Sequence, residues 1–256
     1  IYIPAYNVAD YIEEAVDSAL AQTYENFEIC VHDDGSTDDT LAVLKKRYRR
    51  NARVRITTGK NRGISGASNQ AILSGQGELI LQLDGDDVIN PNALETLVAE
   101  IKTHVCVYGN FRRIDPEGNH IDDGWEEPTY SRERLLRSMI VHHPRLFRRD
   151  AWHEVGGHNE GLTNAVDYDL FLKLSELGTM HHVREQLYSY RILQTSTSRA
   201  KADIQTENTR VVLKNALIRQ GLDDFVVHAP NKDYPRRLQL IHQSFLNTNE
   251  AGTEVV

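Results

Sequence analysis

Two apolar stretches of this 256-residue chain stop abruptly at carboxylates. The run Leu79-Ile80-Leu81-Gln82-Leu83 breaks into Asp84-Gly85-Asp86-Asp87, and Phe27-Glu28-Ile29-Cys30-Val31 leads into Asp33-Asp34-Gly35-Ser36-Thr37. Three like charges crowded around one glycine repel one another unless a cation or a set of donors holds them. Asp84 and Asp86, one residue apart, can turn toward a common site while Gly85 lets backbone and ligand approach. A hard divalent ion carrying a diphosphate is the simplest ligand that satisfies this pattern. The plain alternatives are an acidic turn flanking a helix and, for Asp34, a turn residue feeding a helix cap. Further along, Asn164-Ala165-Val166-Asp167-Tyr168-Asp169 opens a helix with two more carboxylates, either helix N-terminal acids or a proton acceptor.

Elements that would position these residues follow from the periodicity. Ile1 to Ile3 reads as a strand closed by Pro4. Asp10 with Glu13 reads as a capping box, followed by Tyr11, Ile12, Ala15, Val16, Ala19 and Leu20 at helical spacing. Ser36 with Asp39 reads as the cap of the next helix, with Leu41, Leu44 and Tyr48 on its buried face. A short strand over Val54 to Thr57 and a small-residue helix through Ala67, Ala71 and Ile72 precede the acidic strand, and a helix from Pro91 follows it. The order βαβαβαβα with short connections predicts a mostly parallel sheet flanked by helices, both acidic tips lying on one edge. Ligands of such sheets bind just beyond the carboxyl ends of the strands. Past Val105 the pattern changes to a hairpin turning at Asp115-Pro116-Glu117-Gly118, a helix capped by Ser131, and a helix that Gly178 ends as a left-handed cap. A helix over about 203 to 220 stops at Gly221.

Composition narrows the function classes. Net charge is −8, and the basic run Lys45 to Arg50 lies at a helix end, where cations suit the helix dipole, so no nucleic-acid partner is implied. No apolar run approaches the roughly 20 residues needed to cross a bilayer. The two cysteines, Cys30 and Cys106, lie inside strand-like apolar runs and read as buried free thiols, which suits a reducing compartment. The first residues read as mid-strand, so the natural chain is expected to extend beyond them. Gly63 and Gly66 match only half of a dinucleotide fingerprint, and the absence of a phosphate-loop motif argues against an ATPase.

Taken in order, Pro4-Ala5-Tyr6-Asn7, Asp33 to Asp38, Gly63 to Asn69, Leu83 to Asp87, Gly156-Gly157-His158-Asn159-Glu160 and Val166 to Asp169 resemble glycosyltransferase family 2, inverting sugar-nucleotide transferases of the GT-A fold. The stretch from Ile1 to about Gly221 is most similar to the second module of two-module bacterial hyaluronan and chondroitin synthases, the one that transfers glucuronic acid. This resemblance implies a GT-A domain over 1–200, with a nucleotide-binding half (1–104) and an acceptor-side half (105–200), and a helical extension over 201–256. It also implies Mn²⁺ or Mg²⁺ as cofactor, a UDP-sugar donor and a saccharide acceptor. The location implied is cytoplasmic, peripheral at the inner face of the membrane, with a second transferase module fused or associated.

Residue by residue, the same resemblance implies that Pro4, Ala5, Tyr6 and Asn7 line the base pocket and that Asp34, beside Asp33, receives uracil. Asn61, Gly63 and Asn69 join the nucleotide side. Asp84, with Gly85, binds ribose, Asp86 binds the metal on the diphosphate, and Asp167 is the catalytic base. His142, His143 and Asp169 fall on the acceptor side. Where family members carry a metal-binding histidine after a Tyr-Arg pair, this chain has Leu193, which leaves Gln194 as a substitute ligand, a shifted register, or weak metal binding. Three other functions stay open: transfer from another UDP-sugar such as UDP-N-acetylhexosamine or UDP-hexose, a non-catalytic nucleotide- or saccharide-binding module, and nucleotidyl transfer.

Overall fold

The computed structural model describes residues 1–124, 129–193, 202–228 and 239–242. The first strand, β1 (Tyr2–Ala5), is buried throughout and pairs in parallel with β2 (Ile29–Asp33), which pairs in parallel with β3 (Val54–Thr58). Parallel neighbours need a crossover, supplied here by the helices α1 (Ile12–Leu20) and α2 (Thr40–Tyr48). α1 buries Ile12, Ala15, Val16 and Ala19, the stripe expected from its spacing. Next come α3 (Gly63–Ser74) and β4 (Leu79–Leu81).

At β4 the architecture turns. The end of this strand runs parallel to β1 through a bridge between Tyr2 and Gln82, and the Leu83 N–H donates to the Tyr2 carbonyl at 3.1 Å. Later in the chain lie β5 (Val88–Ile89), α4 (Ala93–Ile101), β6 (Cys106–Ile114), β7 (His120–Asp122), α5 (Arg132–Arg137) and β8 (Arg145–Arg148). After them come α6 (Arg149–Glu154), α7 (Val166–Leu177), β9 (Met180–Arg191), α8 (Ala202–Arg219) and the antiparallel pair β10 (Phe225–His228) and β11 (Gln239–His242). A second sheet of six strands runs β4-β8-β6-β9-β5, with β7 on β6. Within it only β6 and β9 are parallel. The α/β architecture is as expected, but its antiparallel share is larger than the alternating pattern of the first half suggests. The link from β4 to β5 is far too short for a parallel crossover, so β5 pairs with β9 instead.

Several local expectations are corrected. Ser36 does not cap α2: the N-cap is Asp39, which makes no side-chain cap bond, and Asp38 before it accepts from the Thr40 N–H at 2.9 Å and the Thr40 hydroxyl at 2.6 Å. Ser36 Oγ instead accepts from the Asn7 N–H at 3.0 Å. No capping box forms at Asp10: the N-cap of α1 is Tyr11, which makes no side-chain cap bond, and the Tyr11 and Ile12 N–H groups reach the Val8 carbonyl. Gly178 is extended, not left-handed, and is glycine for a different reason: a Cβ there would lie 2.6 Å from Val105 Cγ1. Ser131 caps α5 as expected, accepting from the Arg134 N–H at 3.1 Å. Cys30 and Cys106 are buried free thiols.

Two apolar cores flank the first sheet. One face of β1 and β2 (Ile3, Ala5, Ile29, Val31) packs with α1, Leu44, Leu83, α4 and Tyr188. The other face, through Tyr2, packs with α3, Phe147, Trp152 and α7. Successive strand residues alternate between these cores, so each acidic tip emerges between two packed layers.

Candidate active site

Because β1, β2 and β3 are parallel and β4 runs parallel to β1, the residues that follow all four strands lie on one sheet edge. Three loops there are knitted together. Asn7, held in a left-handed conformation (φ 53°), accepts on Oδ1 from the Thr37 N–H at 2.8 Å, and the Ala9 N–H donates to Asp38 at 3.1 Å. Gly35 has φ 71°, and a Cβ on it would come within 3.0 Å of the Gly59 carbonyl and 3.1 Å of the Asn61 N. Only glycine suits both demands. Asp34 is buried, and its Oδ1 accepts from the Arg62 N–H at 2.9 Å. Asp33 is buried beside it on the opposite face, bonded by the Thr58 hydroxyl at 2.9 Å. Pro4 and Ala5 are buried, whereas Tyr6 is half exposed. Gly63 has φ 75° with open space around its Cβ position, and its N–H donates to Asn61 Oδ1 at 3.2 Å. Asn69 is committed elsewhere: its amide exchanges hydrogen bonds with the His158 backbone and reaches Glu160, tying α3 to that loop.

The Asp84–Asp87 turn abuts the loop after β1. Gly85 packs against Val8, Ile12 and the Pro4 carbonyl, so the room its missing side chain leaves is filled by the chain itself, not by a ligand. The three carboxylates are unequal. Asp87 accepts from the Tyr188 hydroxyl at 2.8 Å and the Arg191 N–H at 2.7 Å, fastening β9 to the turn. Asp84 accepts from Gln82 Nε2 at 3.0 Å and lies 3.5 Å from His143 Nε2, with Tyr188 stacked on that imidazole. Burial and, for Asp86, the charge on Asp84 raise both carboxyls above the usual range, Asp86 to about 6. Burial drives Asp87 well above it, with the neighbouring carboxylates adding. Burial, with the positive field of Arg145, keeps His143 well below the ordinary imidazole range, so it is neutral and cannot neutralise Asp84.

These carboxyls fit a divalent cation. Ions of the Mg²⁺ kind are commonly held by one or two carboxylates, with substrate phosphates and waters completing the shell. Asp86, with Asp84 one residue away, supplies that, and a cation would relieve the cost of ionising both. Among the described residues, no group of three or more His, Cys, Asp or Glu side chains could hold a metal unaided. Gln194 lies outside the described residues; Leu193 lies inside them and has no ligating atom.

Asp167 occupies the first turn of α7, behind Ala165 in a left-handed conformation (φ 57°). Its side chain is 41% exposed, and Oδ2 accepts from the Arg145 guanidinium at 2.9 Å. Burial of the surrounding site would push this carboxyl up, but the Arg145 charge and hydrogen bond, with the Tyr168 N–H, outweigh that and hold it below the usual carboxylate range. Arg145, itself almost wholly buried, also donates to Gln82 Oε1 at 3.2 Å and to the Val141 carbonyl at 2.7 Å, and lies over the Phe171 ring. Asp84, Gln82, Arg145 and Asp167 are thus joined in one hydrogen-bonded line. His142 contributes to the field at Asp167, so both histidines border this line. Asp169 points away into an ion pair with Lys173 at 2.5 Å and is buried.

Sequence reasoning missed the residues that join these parts. Gln82 is the one polar side chain in a five-residue apolar run, and Arg145 directly precedes Leu146-Phe147, so each had a signal: a polar group where burial is expected must have a partner. Arg191, also buried, donates to the Asp86, Asp115 and Pro116 carbonyls and pairs with Glu14 at 2.5 Å. Tyr188 is the other anchor of the turn.

A parallel sheet joined at one strand to a mixed sheet, with an acidic turn at the junction, is the GT-A architecture of sugar-nucleotide transferases. In solved structures the chain is similar to S. aureus TarS 1–349 in complex with UDP-GlcNAc (TM-score 0.71, 22% identity, 85% of this chain and 64% of that one). It is also similar to the mannosyltransferase PcManGT from Pyrobaculum calidifontis in complex with GDP-Man and Mn²⁺ (TM-score 0.64, 20% identity, 85% of this chain and 63% of that one). The chain belongs to glycosyl transferase family 2, whose model matches residues 1–156. It is 47% identical over 225 residues to the hyaluronan synthase of Pasteurella multocida, covering 87% of this chain and 23% of that protein. To the chondroitin synthase of Escherichia coli it is 46% identical over 228 residues, 88% of this chain and 33% of that protein. The chain therefore spans about a quarter to a third of the length of these relatives. Among the described residues no helix is long and apolar enough to cross a membrane.

Proposed function

We propose that this chain is a metal-dependent inverting glycosyltransferase that moves glucuronic acid from UDP-glucuronate to the terminal N-acetylhexosamine of a saccharide in bacterial polysaccharide synthesis. The observation that carries the reading is the line from Asp84 through Gln82 and Arg145 to Asp167, which joins a carboxylate at the sheet edge to a partly exposed carboxylate at the start of α7. The hyaluronan and chondroitin synthase relatives support the donor and acceptor classes, the TarS complex supports UDP as carrier, and the PcManGT complex supports a divalent ion.

In this reading Pro4, Ala5, Tyr6, Asn7 and Asp34 take the uracil, with Asn61 and Gly63 beside them and Asp33 behind them, held by Thr58, and Asp84 takes the ribose. Asp86 would hold Mn²⁺ or Mg²⁺, which when bound would supply positive charge where the leaving diphosphate becomes negative. Asp167, kept ionised by Arg145, accepts the proton of the acceptor hydroxyl as that oxygen attacks the anomeric carbon from the face opposite the nucleotide. His142 and His143 border the acceptor, and residues 105–200 form the acceptor-side half of a catalytic domain that works beside a second transferase module at the inner face of the membrane.

The test is incubation of the protein with Mn²⁺, UDP-glucuronate and oligosaccharides ending in N-acetylhexosamine. Transfer is expected for wild type and is lost in Asp86→Ala and Asp167→Ala; turnover unchanged in either variant contradicts the assigned roles. A panel of UDP-N-acetylhexosamines and UDP-hexoses identifies the donor. A second reading, a binding module without turnover, is favoured by Leu193 in place of a metal-ligating histidine. It predicts UDP binding indifferent to Mn²⁺ and no transfer from any donor.

A further inference from the structure

A cation as thoroughly enclosed as Arg145 is costly unless every donor has a partner. Here each arm has one, and the partners belong to three different parts of the fold. Nε donates to the Val141 carbonyl at 2.7 Å in the segment entering β8. One terminal nitrogen donates to Gln82 Oε1 at 3.2 Å at the end of β4, and the other to Asp167 Oδ2 at 2.9 Å in the first turn of α7. The Phe171 ring closes over the guanidinium, 5.0 Å from its carbon. Gln82 uses both ends of its amide, its oxygen facing Arg145 and its nitrogen donating to Asp84 at 3.0 Å. Asp167 Oδ1 is fixed by the Tyr168 N–H at 2.9 Å, so the carboxylate plane is set from both sides.

We propose that Arg145 is a positioning residue for sugar transfer: it fixes the orientation of the Asp167 carboxylate and, through Gln82, locks it to the Asp84 turn, so that the proton acceptor and the donor site move as one unit. The proposal rests on the reading of Asp167 as the base. Lysine cannot replace this fork, since an ammonium is a compact point charge without the planar geometry that meets a carboxylate, an amide and a carbonyl at once. The ionised state of Asp167 follows from the same contact. The other groups that act on Asp167 are His142 before β8, Tyr2 on β1, His158 in the loop after α6 and Asp84. Of these, Tyr2 stays protonated and burial holds His158 down at about 4, so both are neutral at neutral pH, leaving Arg145 as the fixed positive charge in contact with it.

The test compares wild type, Arg145→Met, Arg145→Lys and Gln82→Met, each as the whole chain. Three readouts are taken: UDP binding by calorimetry, kcat and KM for the donor from about pH 4 to about pH 9, and the Asp167 carboxyl titration by carbon NMR. Arg145→Met is expected to bind UDP, to lose kcat with little change in donor KM, and to move both the acid limb and the NMR titration up by about one to three pH units, the shift an adjacent opposite charge imposes. Arg145→Lys is expected to leave the titration near wild type while kcat still falls, separating orientation from charge. Gln82→Met is expected to lower kcat without moving the titration and stands in if Arg145→Met does not fold. An unmoved Asp167 titration in folded Arg145→Met, or full kcat in both Arg145→Lys and Gln82→Met, overturns the proposal. Wild type that transfers nothing from any donor, yet shows the NMR shift in Arg145→Met, instead overturns the transferase reading and leaves the structural coupling standing.

Discussion

Replacing Asp86 with asparagine should make the metal-free protein more stable at neutral pH while removing its response to Mn²⁺. Burial, then the Asp84 charge, raises the Asp86 carboxyl from 3.8 to about 6. A folded-state value above the unfolded one means that the folded chain binds more protons between the two. The associated stability is complete below the unfolded value and is lost as pH climbs through the folded one. A shift of about two units corresponds to about 3 kcal/mol at neutral pH, a ceiling that water entry lowers. For a chain of this size, each kcal/mol moves the melting temperature by about 2–4 °C, so Asp86→Asn should melt above wild type at about pH 7.5, by at most about 6–12 °C. The gap should close at about pH 4, where the wild-type carboxyl is protonated as well. The assay is thermal unfolding across pH in chelator, repeated with Mn²⁺ and UDP. With ligands present the order should invert, because only wild type gains from metal-linked binding. An Asp86→Asn protein no more stable than wild type at neutral pH, or equally stabilised at both pH values, would refute the reasoning that a strained carboxylate is held for a cation.

Two further substitutions test the scaffold. Gly178→Ala places a methyl 2.6 Å from Val105 Cγ1, and overpacking of this kind costs about 1–3 kcal/mol, read as a lower denaturation midpoint with an unchanged slope. Arg191→Met leaves Glu14, which is half exposed, to water and strips the donor from the Asp86, Asp115 and Pro116 carbonyls, and a buried acceptor left without its donor costs about 1–3 kcal/mol. Equilibrium unfolding in urea measures it, and a cost below about 1 kcal/mol, the range of surface ion pairs, would contradict the account of Arg191 as the anchor of the acidic turn.

Local pattern was enough for the first half of the fold. Alternating strand and helix periods over residues 1–104 locate β1 to β4 and α1 to α4 to within a few residues, since β1, β2 and most of β4 are buried on both faces and α1 and α4 carry apolar stripes. The second half was less legible because its pairings are long-range: β4 finds its partner at Arg145–Arg148 and β5 at Ser189, and nothing in the local sequence announces either. The same distinction governs the site. Asp84, Asp86 and Asp167 stood out through their place at strand or helix boundaries. Gln82 and Arg145, 63 residues apart, could be paired only once β4 and β8 lay side by side. Helix starts were misread where the backbone or a different side chain takes up the first N–H groups, as at Val8 and Asp38. Gly85 does let backbone approach, through the Pro4 carbonyl, but Val8 and Ile12 take the space read as a ligand's, while Gly178 is glycine because of close packing against Val105 and not a left-handed cap.

Calorimetric titration of UDP into the protein, with and without Mn²⁺, is the most direct check on the claim that the acidic edge grips a cation-bound nucleotide. The account predicts that Mn²⁺ tightens UDP binding to wild type, that Asp86→Asn abolishes the tightening while retaining metal-free binding, and that Asp167→Asn leaves it intact. UDP affinity in wild type that is the same with and without Mn²⁺, or tightening that survives in Asp86→Asn, would contradict it.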